Sequence, residues 1–246
     1  MTYCVGLFLK DGLVLMSDTR TNAGADNIAA YSKMHVVEAP DRVITIMTAG
    51  NLAITQAVIA RAVEGAGVEP VDGKPVETLH NVKSMFDAAR LLGDAIRAVY
   101  QRDAESLAQQ SYAFEASLIL SGQIKGRRLR MFYIYSAGNF IEAAPETPYF
   151  QIGETKYGKP ILDRVAKHDT SLEDGVKLAM ISMDSTLRSN FSVGLPADLI
   201  VYRRDSLDIA VRQRIGDDDP YFRTVREGWS AALRQAYRDL PRPPWL

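Results

Sequence analysis

Thr2-Tyr3-Cys4-Val5-Gly6-Leu7-Phe8-Leu9, then Lys10-Asp11-Gly12, then Leu13-Val14-Leu15-Met16-Ser17-Asp18 is the stretch on which the fold turns. Tyr3, Val5, Leu7 and Leu9 alternate with Cys4, Gly6 and Phe8, so one face is apolar and the other is apolar or small. A strand of that kind is expected to be covered on both sides. Lys10-Asp11-Gly12 has the composition of a tight hairpin turn, and residues 13–17 return as a second strand ending at Asp18.

Outward from this hairpin, residues 21–30 are small and polar and read as a loop, and two further strands are expected at 33–37 and 43–48 about a turn at Pro40-Asp41. Residues 52–66 are apolar nearly all round, as in a buried helix, and a Gly/Pro-rich linker spans 65–75. Val82, Met85, Phe86, Ala89, Leu92, Ile96, Val99 and Tyr100 recur at helical spacing and predict a helix over 79–103. Strands are expected at 116–121, at 129–135 and just before Gly153, helices near 157–167 and 173–187, and strands at 199–203 and 207–212. Asp219 as N-cap and Pro220 at the first helical position open a last helix, 220–240, with Val225, Trp229, Leu233 and Tyr237 four apart.

Strands and helices therefore come in clusters, whereas a parallel βαβ fold would alternate them. The order predicts an α+β protein: two antiparallel sheets stacked on each other with helices on both outer faces, an αββα sandwich. No internal repeat appears, and the 65–75 linker is too short to divide the chain, so 1–246 is expected to be one domain.

Composition narrows the function. Of 246 residues, 47% are hydrophobic and 24% charged, and 29 basic against 30 acidic residues leave a net charge of −1. That balance offers no electrostatic case for nucleic acid or an anionic membrane, and no apolar run reaches the roughly 18 residues of a membrane-spanning helix. The start reads as a strand without a signal-peptide pattern, so a cytoplasmic location is expected. One cysteine and three scattered histidines, His35, His80 and His168, provide no metal-ligand spacing, and no phosphate-binding glycine loop is present. No cofactor and no metal is expected.

The chemistry that remains is nucleophilic. If Met1 is removed, Thr2 carries a hydroxyl and an α-amine of pKa near 8 on one residue, a nucleophile with its own general base. Hairpin geometry returns Asp18 to the start of the first strand, and Lys33 opens the third. An Asp–Lys pair beside Thr2 would set the charge of the site and assist proton transfer. Gly50, in Thr48-Ala49-Gly50, stands where a strand turns into a helix, so backbone N–H groups there are candidates for an oxyanion site. Singly these residues have plainer readings: a rim salt bridge, and a packing glycine.

Together, an early threonine on a strand, an aspartate sixteen residues on, a lysine soon after and an Ala-Gly turn into a helix resemble the β-subunits of the proteasome and the bacterial HslV peptidase. The chain is more similar still to the Anbu family of bacterial proteasome-related proteins. Thr-Tyr-Cys-Val at 2–5, Ser-Asp-Thr-Arg-Thr-Asn-Ala-Gly at 17–24, Thr-Ala-Gly-Asn-Leu at 48–52 and Asp-Ser-Thr-Leu-Arg-Ser-Asn at 184–190 carry that resemblance. It implies the αββα fold of N-terminal nucleophile hydrolases and self-association into a ring or helical assembly. It implies Thr2 as nucleophile and base, Asp18 and Lys33 as the charge pair, and Gly50 as an oxyanion donor. Asp184 and Ser189 match the family's Asp and Ser near the threonine amine. The serine that follows a glycine in this family is missing after Gly153, where Thr155 is the substitute; Lys33 lies one residue closer to Thr2 than in proteasome subunits, a shortening within 21–31. The implied activity is a threonine peptidase or amide hydrolase. A small-molecule or isopeptide amidohydrolase and a catalytically silent assembly subunit are the alternatives.

Overall fold

The computed structural model describes residues 1–22, 28–70, 73 and 75–245. Residues 23–27 of the predicted 21–30 loop, with Ala23-Gly24 of the 17–24 motif, and 71, 72 and 74 of the predicted linker lie outside the described residues.

Strands β1 (Tyr3–Leu9) and β2 (Gly12–Asp18) form the predicted hairpin, closed by the Leu9–Gly12 pair around Lys10-Asp11. Both strands are almost wholly buried, because each face of the hairpin meets a different layer. Tyr3, Val5, Leu7 and Leu9 pack with α3 (Lys159–Val165) and α4 (Leu172–Ser189). Cys4, Leu13 and Leu15 face a second sheet.

The first sheet has the order β10-β1-β2-β11-β12, with β10 at Tyr149–Gly153, β11 at Ala197–Arg203 and β12 at Ile209–Ile215. The second is β5-β6-β7-β8-β9: Met34–Ala39, Arg42–Gly50, Ala116–Ile124, Arg130–Ile134 and Phe140–Glu142. Every pairing is antiparallel. Between the sheets lies a core that includes Met47, Ile119, Met131, Ile152 and Ile200. Outside the second sheet, α1 (Leu52–Glu64) and α2 (Met85–Gln109) bury Val58, Leu92 and Ile96 against Ile44, Leu118 and Phe132. The chain is thus the expected four-layer αββα sandwich.

The departures have local causes. The helix predicted from residue 79 begins at Met85, because Ser84 is extended and its Oγ accepts the Asp87 N–H as an N-cap. Leu79 and Val82 are buried all the same, in a turn whose carbonyls accept from the Arg42 guanidinium at 3.3 and 2.9 Å. The described ends of the 21–30 loop are not irregular: Arg20–Asn22 (β3) pairs with Ile28–Ala30 (β4) as a separate ribbon. Asp219 caps α5 (Pro220–Asp239) as predicted, its carboxylate accepting the Phe222 N–H at 2.7 Å, but Phe222 is the only buried residue of that helix.

Candidate active site

Thr2 precedes the first residue of β1 and is 9% exposed. The neighbouring β10 holds it from one side: Tyr3 pairs with Gly153, and the Glu154 N–H donates to the Thr2 carbonyl at 2.7 Å. A side chain at Gly153, at φ +83°, would stand 1.9 Å from the Thr2 carbonyl oxygen, so the close approach requires glycine. From below, a directional chain of hydrogen bonds runs Gln151 Nε2 to Tyr3 Oη, Tyr3 Oη to Ser182 Oγ, and Ser182 Oγ to the Gly158 carbonyl. Burial raises the Tyr3 phenol above its ordinary value, which keeps it a neutral donor in that chain.

Asp18 ends β2 beside this point and is fully buried. Its Oδ1 accepts the Tyr3 N–H at 2.9 Å and Lys33 Nζ at 2.6 Å, and its Oδ2 accepts the Gly194 N–H at 3.4 Å. Burial pushes the Asp18 carboxyl above the usual carboxylate range; the Lys33 ammonium, and then the two amides, pull against it. Lys33, 4% exposed, immediately precedes β5, and its ammonium also donates to the Arg20 carbonyl at 2.7 Å. The pair that could have been a rim salt bridge is therefore buried.

Gly50 ends β6 at φ +116°. The Asn51 N–H donates to Glu115 O in β7's direction, whereas the Thr48 N–H donates to Lys33 O on the β5 side. Strand alternation sends the Gly50 N–H the same way as that of Thr48, past the end of β5. The first amides of α1 are not open to an oxyanion as the sequence suggested, because Asn51 Oδ1 accepts the N–H groups of both Ala53 and Ile54.

Thr2, Lys33 and Gly50 line one cleft of about 850 Å³, together with Met1, Arg20, Thr21 and Thr48 among others. A second cavity of about 430 Å³ adjoins it, sharing Ala49, Gly50, Glu115 and Gly153, and takes in Thr155. A further hollow of about 280 Å³ between β5 and β12 is lined by neither Thr2 nor Lys33, and there Asp198 is already bonded by Ser32 and Arg214. Cys4 is fully buried and its thiol is pushed up by burial, so it is not a competing nucleophile.

Asp184 and Ser189 are not brought into the cleft. The Asp184 carboxylate is buried and taken by two guanidinium groups, Arg188 at 2.9 Å one turn on and Arg226 of α5 at 2.8 Å. It fastens α5 to α4. Ser189 is exposed at the last turn of α4. The later half instead reaches the site through the loop after α4. There Gly194 meets Asp18, the Phe191 carbonyl accepts from Arg20 at 2.7 Å, and Asn190 Nδ2 donates to buried Glu154 at 3.1 Å. Arg20 and Asn190 lie within stretches that carry the family resemblance, at 17–24 and 184–190; Glu154 and Gly194 had no signal of their own. No cluster of three potential metal ligands occurs among the described residues.

A threonine at the head of a twice-covered strand, a buried Asp–Lys pair and a glycine turn inside an αββα sandwich define a proteasome-type architecture. Its relatives agree. An Anbu Gly-1 mutant from Hyphomicrobium sp. strain MC1 matches with TM-score 0.89 and 48% identity, over 99% of either chain. Anbu from Yersinia bercovieri, described as an ancestral beta-subunit, matches with TM-score 0.88 and 46% identity over 98% of each. Anbu from Pseudomonas aeruginosa, solved as a helical assembly, matches with TM-score 0.88 and 44% identity over 98% of each. No protein-family model and no curated protein matches the chain. The chain belongs to the Anbu family of proteasome-related proteins.

Removing one member of a buried ion pair strands the other, at a cost of about 3–5 kcal/mol. Asp18→Ala and Lys33→Ala should each lower stability to urea by about that much, and the double variant by clearly less than the sum. Additive losses would show that the two groups are not coupled.

Proposed function

We propose that this protein is a threonine-type amide or peptide hydrolase that acts in a self-associated assembly, with Thr2 as nucleophile once Met1 is removed. The observation that carries the reading is the meeting of Thr2, Lys33 and Gly50 on one cleft, with Lys33 fixed by buried Asp18. The α-amine of Thr2 takes the hydroxyl proton, directly or through a water, as Oγ attacks the amide carbonyl. The anchored Lys33 ammonium favours the developing alkoxide, and the Gly50 N–H faces the oxyanion. The C–N bond breaks and the amine leaves with the proton from Oγ; water then hydrolyses the ester and restores Thr2. Asp184 is given the structural role of fastening α5 to α4, and Ser189 is given none.

Met1 lines the same cleft and is 60% exposed. While it is attached, the Thr2 nitrogen is an amide without basicity, and the chain in that form is a silent assembly subunit. Mass spectrometry of the N-terminal peptide after treatment with a β-lactone or epoxyketone separates the readings. Met1-free protein should carry the adduct on Thr2. Thr2→Ala and Met1-retaining protein should carry none, and Thr2→Ser should label more slowly, lacking the methyl that restricts χ1. Lys33→Ala should not label, and Lys33→Arg should not restore it, because the larger planar guanidinium does not fit the buried position where Lys33 Nζ meets Asp18 and the Arg20 carbonyl. Equal labelling with Met1 attached would rule out the amine as base; equal labelling of Lys33→Ala would remove lysine from the mechanism.

Self-association rests on apolar surface that one chain leaves uncovered. Leu233 and Tyr237 of α5 are 51% and 78% exposed, and Phe86 and Tyr100 of α2 are 49% and 53% exposed. The helical assembly of the Pseudomonas aeruginosa relative supports the same reading. A heterologous contact of this kind closes as a ring or continues as a helix. Light scattering at micromolar concentration should give a mass of many subunits; the mass of one chain would refute it.

A further inference from the structure

Among the described residues the buried carboxylates are Asp18, Asp184 and Glu154. Two of them have cations: Asp18 has Lys33, and Asp184 has Arg188 and Arg226. Glu154, 4% exposed, makes no ion pair among the described residues. Its Oε1 accepts the Lys156 N–H at 3.3 Å and its Oε2 accepts Asn190 Nδ2 at 3.1 Å, both neutral donors. A buried carboxylate without a counter-charge is costly, so this position calls for a cation that the chain with Met1 attached does not supply.

The surroundings of Glu154 say which cation. It directly follows β10, and its own N–H donates to the Thr2 carbonyl at 2.7 Å. In extended backbone the nitrogen and the carbonyl of one residue face the same neighbouring strand, and the next residue faces the other. Tyr3 keeps to this alternation, its N–H turned to Asp18 on β2. The Thr2 nitrogen is therefore turned toward β10, at the end where Glu154 stands. The 190–196 loop closes the region. Asn190 reaches Glu154 on the β10 side, while Gly194 meets Asp18 and the Pro196 carbonyl accepts the Thr19 N–H at 3.1 Å on the β2 side. The loop thus crosses the start of β1 and holds the Glu154 carboxyl beside it. With Met1 attached, the Thr2 nitrogen is a neutral amide; loss of Met1 makes it an ammonium at this edge.

We infer that Glu154 is the counter-ion of the Thr2 α-ammonium, a positioning residue that aims the amine and strengthens it as a base. This rests on the reading in which loss of Met1 frees that amine. Glu154 fills the role that the family resemblance gave to Asp184 and Ser189, which lie outside the cleft. A carboxylate beside the amine favours its charged form and raises its pKa above the ordinary value of about 8. Asp18 on β2 and Glu115 at the cleft rim act in the same direction; Lys33 before β5, Arg20 on β3 and Lys156 after β10 oppose it, and the Tyr3 and Tyr112 phenols also border the region. All of these stay when Glu154 alone is neutralised, so the difference between the two proteins isolates Glu154.

The test reads the amine directly. Met1-free protein is treated with cyanate, which carbamoylates the neutral amine, from about pH 6 to 10, and the N-terminal peptide is followed by mass spectrometry. The pH of half-maximal reaction should lie above about 8 in the wild-type protein and fall by about one unit or more in Glu154→Gln. The pH profile of β-lactone labelling should move with it. A merely structural Glu154 would lower stability or the overall rate and leave the midpoint in place, so an unchanged midpoint in folded Glu154→Gln overturns the inference. Glu154→Ser, smaller and also neutral, replaces that variant if it does not fold. If neither folds, the wild-type midpoint decides, and a value at or below about 8 overturns the inference. A midpoint that shifts while Thr2 takes no β-lactone label supports the ion pair and removes the hydrolase reading; a label with an unshifted midpoint does the reverse.

Discussion

The Asp18 carboxylate is the point at which the two sheets, the start of the chain at Thr2 and the later half of the chain meet. It accepts from the Tyr3 amide next to Thr2, from Lys33 at the mouth of the second sheet and from Gly194 in the loop before β11. A buried anion without partners would be untenable, so the fold must deliver a cation and oriented amides to it. Meeting that demand fixes where Lys33 lies, how close the 190–196 loop comes, and which way the start of β1 faces. The cleft is what remains around these fixed groups.

Close packing does the rest. Gly153 lets β10 run against the Thr2 carbonyl, and the Tyr3 hydroxyl ties the same strand end to Ser182 on α4. The start of β1 would otherwise be free to fray, as terminal residues commonly are. Here it is held on three sides, by β10, by Asp18 and by the Tyr3–Ser182 link, so the hydroxyl of Thr2 is presented by a rigid element. Positioning of that kind is worth more to a reaction than a reactive group on a mobile tail.

The layer order was legible because burial on both faces of 3–9 and 13–17 has few solutions, and clustered strands exclude a parallel sheet. The closeness of Thr2 and Asp18 was legible because they end the paired strands of one hairpin, where register follows from the turn; Lys33 and Gly50 lie at the β5–β6 hairpin of the other sheet, so their approach to Thr2 depends on how the two sheets stack and not on strand adjacency. Where distant segments decide, sequence reasoning failed. Asp184 carries the right side chain, but its partners, Arg188 one turn on and Arg226 from α5, decide its role. Arg188 at i+4 was a readable sign of that pairing. Gly194 and Glu154 act through backbone placement and burial in loops that no periodicity announces. The short strand 140–142 leaves no alternation to read, and the last strand, expected at 207–212, runs over Ile209–Ile215, its exposed middle giving no apolar pattern to fix the ends.

All the proposed chemistry depends on one covalent fact, a free amine on Thr2. Intact mass of the untagged protein, expressed with no added N-terminal residues, measures it directly. A mass lower than that of the whole sequence by one methionine residue is the result this account predicts. A mass that includes Met1 in the assembled protein would contradict it and leave a silent subunit.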